Sequence, residues 1–87
     1  MNWGVVRLNI GNAVKLRILE LCEIHGITVN KLATVSGITQ STLSNIVGGR
    51  NDSTTIATIK KLCDGLEITI QEFFNSDVFS NLEPELK

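Results

Sequence analysis

The sequence has few of the residues on which metal sites, disulfide frameworks and redox centres depend. Its 87 residues include two cysteines, one histidine, one proline and no tyrosine. A structural zinc site needs about four Cys or His ligands, which is more than this chain contains. We therefore expect no metal and no cofactor. Cys22 and Cys63 are interpreted as small, buried, apolar side chains, with a redox role as the less favoured alternative.

Long apolar runs are also absent. No run approaches the roughly 18 residues that a transmembrane helix needs, which excludes a membrane span. Residues 1–11 have apolar character, but they lack the basic start and the unbroken apolar stretch of an export signal. We therefore expect a cytoplasmic protein, and a chain of this length suits one domain.

The net charge of −1 does not by itself favour a nucleic-acid partner, but the charges are unevenly distributed. Residues 1–61 carry seven Lys or Arg against three acidic residues, whereas residues 62–87 carry one Lys against six. Such an asymmetry permits one basic face on a protein that is acidic overall. An ordinary solvated surface explains the same counts equally well.

Glycines and capping residues divide the chain into five predicted helices. We predict helices over residues 12–25, 29–35 and 40–47, a fourth that begins at 53–55, and a short fifth helix. Thr69 and Glu72 match a capping box at the start of the fifth helix. Gly26, Gly37, Gly48 and Gly65 are interpreted as breaks between helices. The prediction is an all-α fold with an extension at 1–11, a domain at 12–75 and an acidic tail at 76–87, frayed beyond Phe79.

The spacing of apolar residues predicts which helix faces are buried. The expected core residues are Val14, Ile18, Leu21 and Cys22 of the first helix; Leu32, Val35, Ile38, Leu43 and Ile46 of the second and third; and Ile56, Ile59, Leu62, Cys63 and Leu66 of the fourth. Leu16, Leu19 and Ile24 form a second apolar patch on the first helix. Either residues 3–10 or a partner chain is expected to cover that patch.

The third predicted helix carries the most informative pattern. At about 100° per residue, Leu43, Ile46 and Val47 fall on one side. The opposite side carries four uncharged residues that form hydrogen bonds, here called the polar face: Gln40, Ser41, Ser44 and Asn45. Amide and hydroxyl groups are what base reading requires, whereas an ordinary solvent face usually contains Lys and Glu. A polar helix face without a ligand remains the alternative.

Residues 14–74 resemble the phage-repressor or Cro-like helix-turn-helix family, also called the XRE family. The residues that carry the resemblance are Leu32, Ala33, the run 37–46, Leu66 and the run 68–74. The resemblance implies a five-helix lambda-repressor-like fold with the helix-turn-helix at helices 2 and 3. It also implies a sequence-specific transcriptional regulator, a repressor, with its third helix in the major groove. By position, the polar face corresponds to the base contacts, and Thr39, Arg50 and Asn51 correspond to phosphate contacts.

One departure from the family concerns a phosphate contact. The second helix of this family often opens with a Gln that binds phosphate, and Val29 stands at that place here. The contact is therefore either lost or made by Thr28 or Asn30.

Two other departures concern stability. Cys22 and Val47 occupy the places of an Arg and a Glu that pair in many members, and replacing both partners of a buried pair by apolar groups is tolerable. Glu67 stands where a left-handed Gly or Asn usually ends the fourth helix, at a cost of about 1 kcal/mol. Residues 3–10 lie outside the resemblance.

The expected partner is double-stranded DNA, bound by a homodimer on a near-palindromic operator. The dimer interface is left open between the fifth helix with the tail and the N-terminal segment. A helical protein-interaction module that does not bind DNA is the alternative function. No acid pair, nucleophile–base pair or phosphate-binding glycine loop stands out, so we expect neither an enzyme nor a small-molecule ligand.

Overall fold

A computed structural model describes residues 7–49 and 53–86, which form five α-helices and a short 3₁₀ helix. The helices are α1 (Ile10–His25), α2 (Val29–Ser36), α3 (Gln40–Val47), α4 (Ile56–Leu66) and α5 (Ile70–Phe74), followed by the 3₁₀ helix (Asp77–Phe79). α2 packs on both α3 and α4, α1 packs on α3, and α5 packs on α4. The all-α prediction and the order of the five helices are confirmed.

Every α-helix begins at a side chain that caps its first turn. The capping residues are Asn9, Thr28, Thr39, Thr55 and Thr69, and each side-chain oxygen accepts a hydrogen bond from the third helical amide. The predicted capping box of Thr69 and Glu72 is present. α1 begins two residues earlier than predicted because Asn9 Oδ1 accepts from the Asn12 amide at 2.7 Å.

The C-terminal ends of α1, α2 and α4 lie at residues with left-handed backbone conformation. Gly26 and Gly37 adopt φ of 64° and 68° without strain. Glu67 has φ of 58°, and it is the one non-glycine residue with positive φ among residues 7–49 and 53–86. The sequence-based expectation that Glu67 ends α4 in this conformation is confirmed.

Glu67→Gly is expected to raise the free energy of unfolding by about 1 kcal/mol, because glycine has no Cβ to clash in the left-handed region. The change also removes a carboxylate from the negative end of the helix dipole. Urea denaturation checks the value, and Glu67→Ala is the control because it removes the charge and keeps the Cβ. Equal stability of the Gly and Ala variants would contradict the backbone explanation.

The core contains residues from all five helices and from the 3₁₀ helix. Its buried apolar members are Ala13, Val14, Ile18, Leu21, Cys22, Leu32, Ala33, Leu43, Ile46, Ile59, Leu62, Cys63, Leu66, Phe73 and Val78. Two predicted core residues are wrong. Ile56 is 64% exposed because it is the first residue of α4, at the edge of the core, and Val35 is 43% exposed. α2 is rotated so that Ser36, rather than Val35, continues its buried face.

The α2–α4 crossing explains a third difference from the prediction. Gly65 lies inside α4, although it was interpreted as a break between helices. A Cβ placed on Gly65 would lie 2.3 Å from Ser36 Oγ and 3.1 Å from Ser36 Cα. The glycine is therefore explained by the close approach of the two helices and does not end α4.

Arg17 is one of the seven basic residues of 1–61, and the structure buries it. Its Nε donates to the Phe73 carbonyl at 2.6 Å, and Nη2 donates to the Glu72 carbonyl at 2.7 Å. Nη1 pairs with Glu20 at 2.5 Å, and the same carboxylate oxygen accepts from Ser76 Oγ at 2.9 Å. One cation on α1 thus binds the C-terminal carbonyls of α5, where the helix dipole favours positive charge.

The chain after α5 also packs against the domain. Val78 is buried, and the rings of Phe73, Phe74 and Phe79 form a cluster with centroids 5.0 to 6.4 Å apart. The Glu83 amide donates to the Leu8 carbonyl at 2.8 Å. Leu8 and Leu82 form a parallel β-bridge, so the chain beyond Phe79 contacts the segment before α1.

Candidate nucleic-acid interface

α2, a three-residue turn and α3 form a compact helix-turn-helix. Gly37 ends α2, and the Ile38 amide donates to the Ala33 carbonyl at 3.0 Å, which turns the chain sharply toward α3. Leu32, Ala33 and Leu43 are fully buried between the helices. α3 packs on α1 and α2, and this packing leaves its outer side on the surface.

The polar face lies on that outer side. All four of its residues are exposed, whereas Leu43 and Ile46 are buried and Val47 is half-buried. Within residues 7–49 and 53–86, none of the four side chains forms an intramolecular hydrogen bond. Their amide and hydroxyl groups are therefore available to an external partner, while their assignment to bases remains a prediction.

Two of the predicted phosphate contacts are threonines that cap helices. Thr28 Oγ1 accepts from the Lys31 amide at 3.0 Å, which leaves its hydroxyl proton available to donate. Thr39 Oγ1 accepts from the Thr42 amide at 3.2 Å and donates to Thr42 Oγ1 at 2.8 Å. The Thr39 hydroxyl proton is therefore already engaged, and the helix start offers mainly its exposed backbone amides to an anion.

Of the other predicted phosphate contacts, the structure describes Asn30 but neither Arg50 nor Asn51. Asn30 is exposed in the first turn of α2, where Val29 is half-buried, so Asn30 is the more accessible of the two. Arg50 and Asn51 lie outside the described residues, as does the part of the N-terminal segment that contains Trp3.

The sequence around α2 and α3 lacks acidic residues, which the charge counts for residues 1–61 and 62–87 did not show. No Asp or Glu occurs between Glu23 and Asp52, a stretch that contains the whole helix-turn-helix. Lys31 lies in this stretch and is exposed on α2. The helix-turn-helix itself therefore contributes no carboxylate that would repel a phosphate backbone, although the chain as a whole is slightly acidic.

The cysteines lie in the core. Cys22 and Cys63 are buried free thiols, and burial raises the pKa of each. A raised pKa keeps a thiol protonated and unreactive at neutral pH, which favours the packing interpretation. Among the described residues no group of His, Cys, Asp or Glu is arranged to hold a metal ion. In the same part of the chain, no helix is long and apolar enough to cross a membrane.

A groove of about 810 Å³ lies at another part of the surface. It is bounded by the start of α1, the start of α4 and the tail, and Val14, Ile59 and Phe74 contribute apolar surface. It shares no residue with α2 or α3, so it is separate from the candidate interface.

Comparison with known proteins agrees with this architecture. Residues 17–77 match a family model described as a Cro/C1-type HTH (helix-turn-helix) DNA-binding domain. The chain is also similar to a solved structure, the crystal structure of the prophage Lp1 protein 11, with 35% sequence identity and a TM-score of 0.72. That similarity covers 79% of this chain and 91% of the other. No curated protein matches the sequence.

Proposed function

The chain belongs to the family of Cro/C1-type helix-turn-helix DNA-binding domains, and from this premise we propose that it is a sequence-specific transcriptional repressor whose α3 reads the major groove. The observation that carries the proposal is the polar face: four exposed, uncharged side chains on the outer side of α3 that form no hydrogen bond within the described part of the chain. A helix of this kind fits the width of the major groove.

Each residue of the polar face has a proposed role. The side-chain amides of Gln40 and Asn45 can each form two hydrogen bonds with the N6 and N7 positions of adenine. The hydroxyls of Ser41 and Ser44 can donate or accept at several base edges. These contacts would supply sequence preference, since contacts to the phosphate backbone position a protein without distinguishing bases.

The proposed phosphate contacts surround the polar face. Thr28, Asn30 and Thr39 lie at the starts of α2 and α3, where backbone amides and the positive end of each helix dipole attract anions. Arg50 and Asn51 follow α3 in the sequence, and Arg50 would add one positive charge there. We assign the protein a binding function in the cytoplasm and no catalytic one.

We propose that the protein acts as a homodimer. One domain with few basic residues makes few phosphate contacts, and the affinity of a single half-site is correspondingly low. Two copies with recognition helices about 34 Å apart would bind successive major grooves on one side of the duplex. An operator with two inverted half-sites follows from this arrangement.

Selection of bound sequences from a random pool of duplex DNA tests the function. We expect enrichment of a near-palindromic sequence whose half-sites are separated by about 10 base pairs or a multiple of it. Enrichment of one half-site would contradict the dimer but retain the DNA-binding function. Absence of any enrichment would contradict sequence-specific binding and favour a helical protein-interaction module.

Gln40→Ala and Asn45→Ala are each expected to reduce discrimination between the selected duplex and a mixed-sequence duplex about tenfold, because each removes a bidentate base contact. Fluorescence anisotropy titrations of both duplexes at one salt concentration measure the ratio. Gln71→Ala is the matched control, because Gln71 is exposed on α5, away from the polar face. Unchanged discrimination in both α3 variants would remove these residues from base reading.

A further inference from the structure

α1 contains one lysine, Lys15, and its ammonium group lies beside the end of α3. A Cβ placed on Gly49 would be 3.9 Å from Lys15 Nζ. Lys15 and Cys22 are seven residues apart, two helical turns, and therefore lie on the same side of α1. Cys22 is buried in the core, and α1 packs on α3. This packing places the charge of Lys15 at the chain segment that leaves the recognition helix.

The Lys15 ammonium has no carboxylate partner among residues 7–49 and 53–86. The ion pairs of that part of the chain join Arg17 to Glu20 and Lys60 to Asp64. Lys15 is half-buried, and a lysine in this situation commonly buries its aliphatic stem while its ammonium stays in solvent. Since no described carboxylate pairs with it, the ammonium is available to an external anion.

At the C-terminal end of α3, an added cation would favour the approach of a DNA phosphate. Helix N-termini attract phosphates, but the C-terminal carbonyls of α3 carry partial negative charge and repel them. Val47, Gly48 and Gly49 carry no charge, so Lys15 would add to the one positive charge that Arg50 brings after them. Gly49 also has no side chain that could cover the ammonium of Lys15.

We infer that Lys15 binds a backbone phosphate of the DNA at the C-terminal end of α3, a contact that rests on the proposed function. α1 then contributes to the interface from outside the helix-turn-helix. Because the ligand is a phosphate oxygen, the contact positions α3 and strengthens binding to every sequence alike. Lys15 is a positioning residue and does not read bases.

Lys15→Gln tests the inference, with Lys61→Gln as the matched control. Lys61 is exposed on α4 and falls on the helix side opposite the buried residues Ile59, Leu62 and Leu66. Both changes remove one positive charge, so the overall electrostatic effect is equal and the difference reports a local contact. Lys15→Arg retains the charge and is expected to bind like the wild type.

The readout is the affinity of each protein for the selected duplex and for a mixed-sequence duplex of equal length over a series of salt concentrations. We expect Lys15→Gln to bind both duplexes about fivefold more weakly at physiological salt and to reduce the slope of log K against log salt by about 0.9. The ratio between the two duplexes should stay constant. Lys61→Gln should retain the wild-type slope.

Two results would overturn the inference, and they differ in what they say about the function. If the wild type binds the selected duplex specifically and Lys15→Gln has the same slope as Lys61→Gln, Lys15 makes no phosphate contact and the proposed function stands. If the wild type binds neither duplex, the proposed function is wrong, and the proposed contact of Lys15 with phosphate is wrong as well. Circular dichroism of each variant confirms that the comparison is between folded proteins.

Discussion

Arg17→Met is expected to lower the free energy of unfolding by about 3 kcal/mol, the largest effect of the substitutions considered. The guanidinium is buried and donates to the carbonyls of Phe73 and Glu72. Methionine keeps an apolar stem of similar length but supplies no donor. Two carbonyl oxygens at the end of α5 would then lose a charged hydrogen-bond donor, and an unmet buried acceptor costs roughly 1–3 kcal/mol.

Glu20→Gln removes the ion pair of Arg17 but keeps its hydrogen bonds to the carbonyls, so it measures the contribution of the ion pair alone. The Glu20 side chain is 40% exposed, so solvent weakens the pair, and Gln still offers an oxygen to Ser76 Oγ. We expect a loss of less than about 1 kcal/mol for this variant. Urea denaturation followed by circular dichroism measures both changes. Equal losses for Arg17→Met and Glu20→Gln would show that the α5 carbonyls do not depend on Arg17.

Gly65→Ala is expected to destabilise the protein by about 2 kcal/mol, the second largest effect on stability. Alanine is the better helix former by about 1 kcal/mol, so helix propensity alone predicts stabilisation. The added Cβ would meet Ser36 Oγ at 2.3 Å and the Ser36 backbone at 3.1 Å, so α2 and α4 must separate. Because the core between these helices is closely packed, the separation outweighs the gain in propensity.

A double-mutant cycle with Ser36→Ala locates the cause of this loss. Ser36 Oγ is buried without a hydrogen-bond partner in the described structure, so Ser36→Ala alone should change stability little. In the Ser36→Ala background, Gly65→Ala should cost less, because its shortest contact has been removed. Full recovery is not expected, since Ser36 Cα remains at 3.1 Å. A stabilising Gly65→Ala would contradict the close crossing.

The sequence predicted the features that depend on neighbouring residues. The capping box at Thr69 and the helix ends at Gly26 and Gly37 act within one helical turn, and all three were predicted correctly. The outward direction of the polar face followed from helical periodicity, because the buried side of α3 is defined by its own apolar residues.

The features that the sequence did not predict depend on contacts between distant segments. The sequence does not distinguish Arg17 from a surface cation, because the α5 carbonyls that it binds lie more than fifty residues away in the chain. The sequence pattern predicts a helix break at Gly65, because the close approach of Ser36 is visible only in the folded structure. The contact of the tail with the segment before α1 is made by the pairing of Leu8 with Leu82, which no local sequence pattern predicts.

The candidate site shows the same division. Exposure of the polar face followed from the sequence, whereas the internal hydrogen bond of the Thr39 hydroxyl and the position of Lys15 beside Gly49 required the packed fold. The carboxylate-free stretch between Glu23 and Asp52 is visible in the sequence. The structure adds that α2 and α3, which lie in this stretch, pack against each other.

The side-chain amide resonances of Gln40 and Asn45 test the central claim most directly. In a nuclear magnetic resonance titration with the selected duplex, we expect these resonances to shift strongly, while the amide of Gln71 on α5 stays in place. Binding of the duplex with the Gln40 and Asn45 amides unmoved would contradict the claim that the polar face of α3 reads DNA.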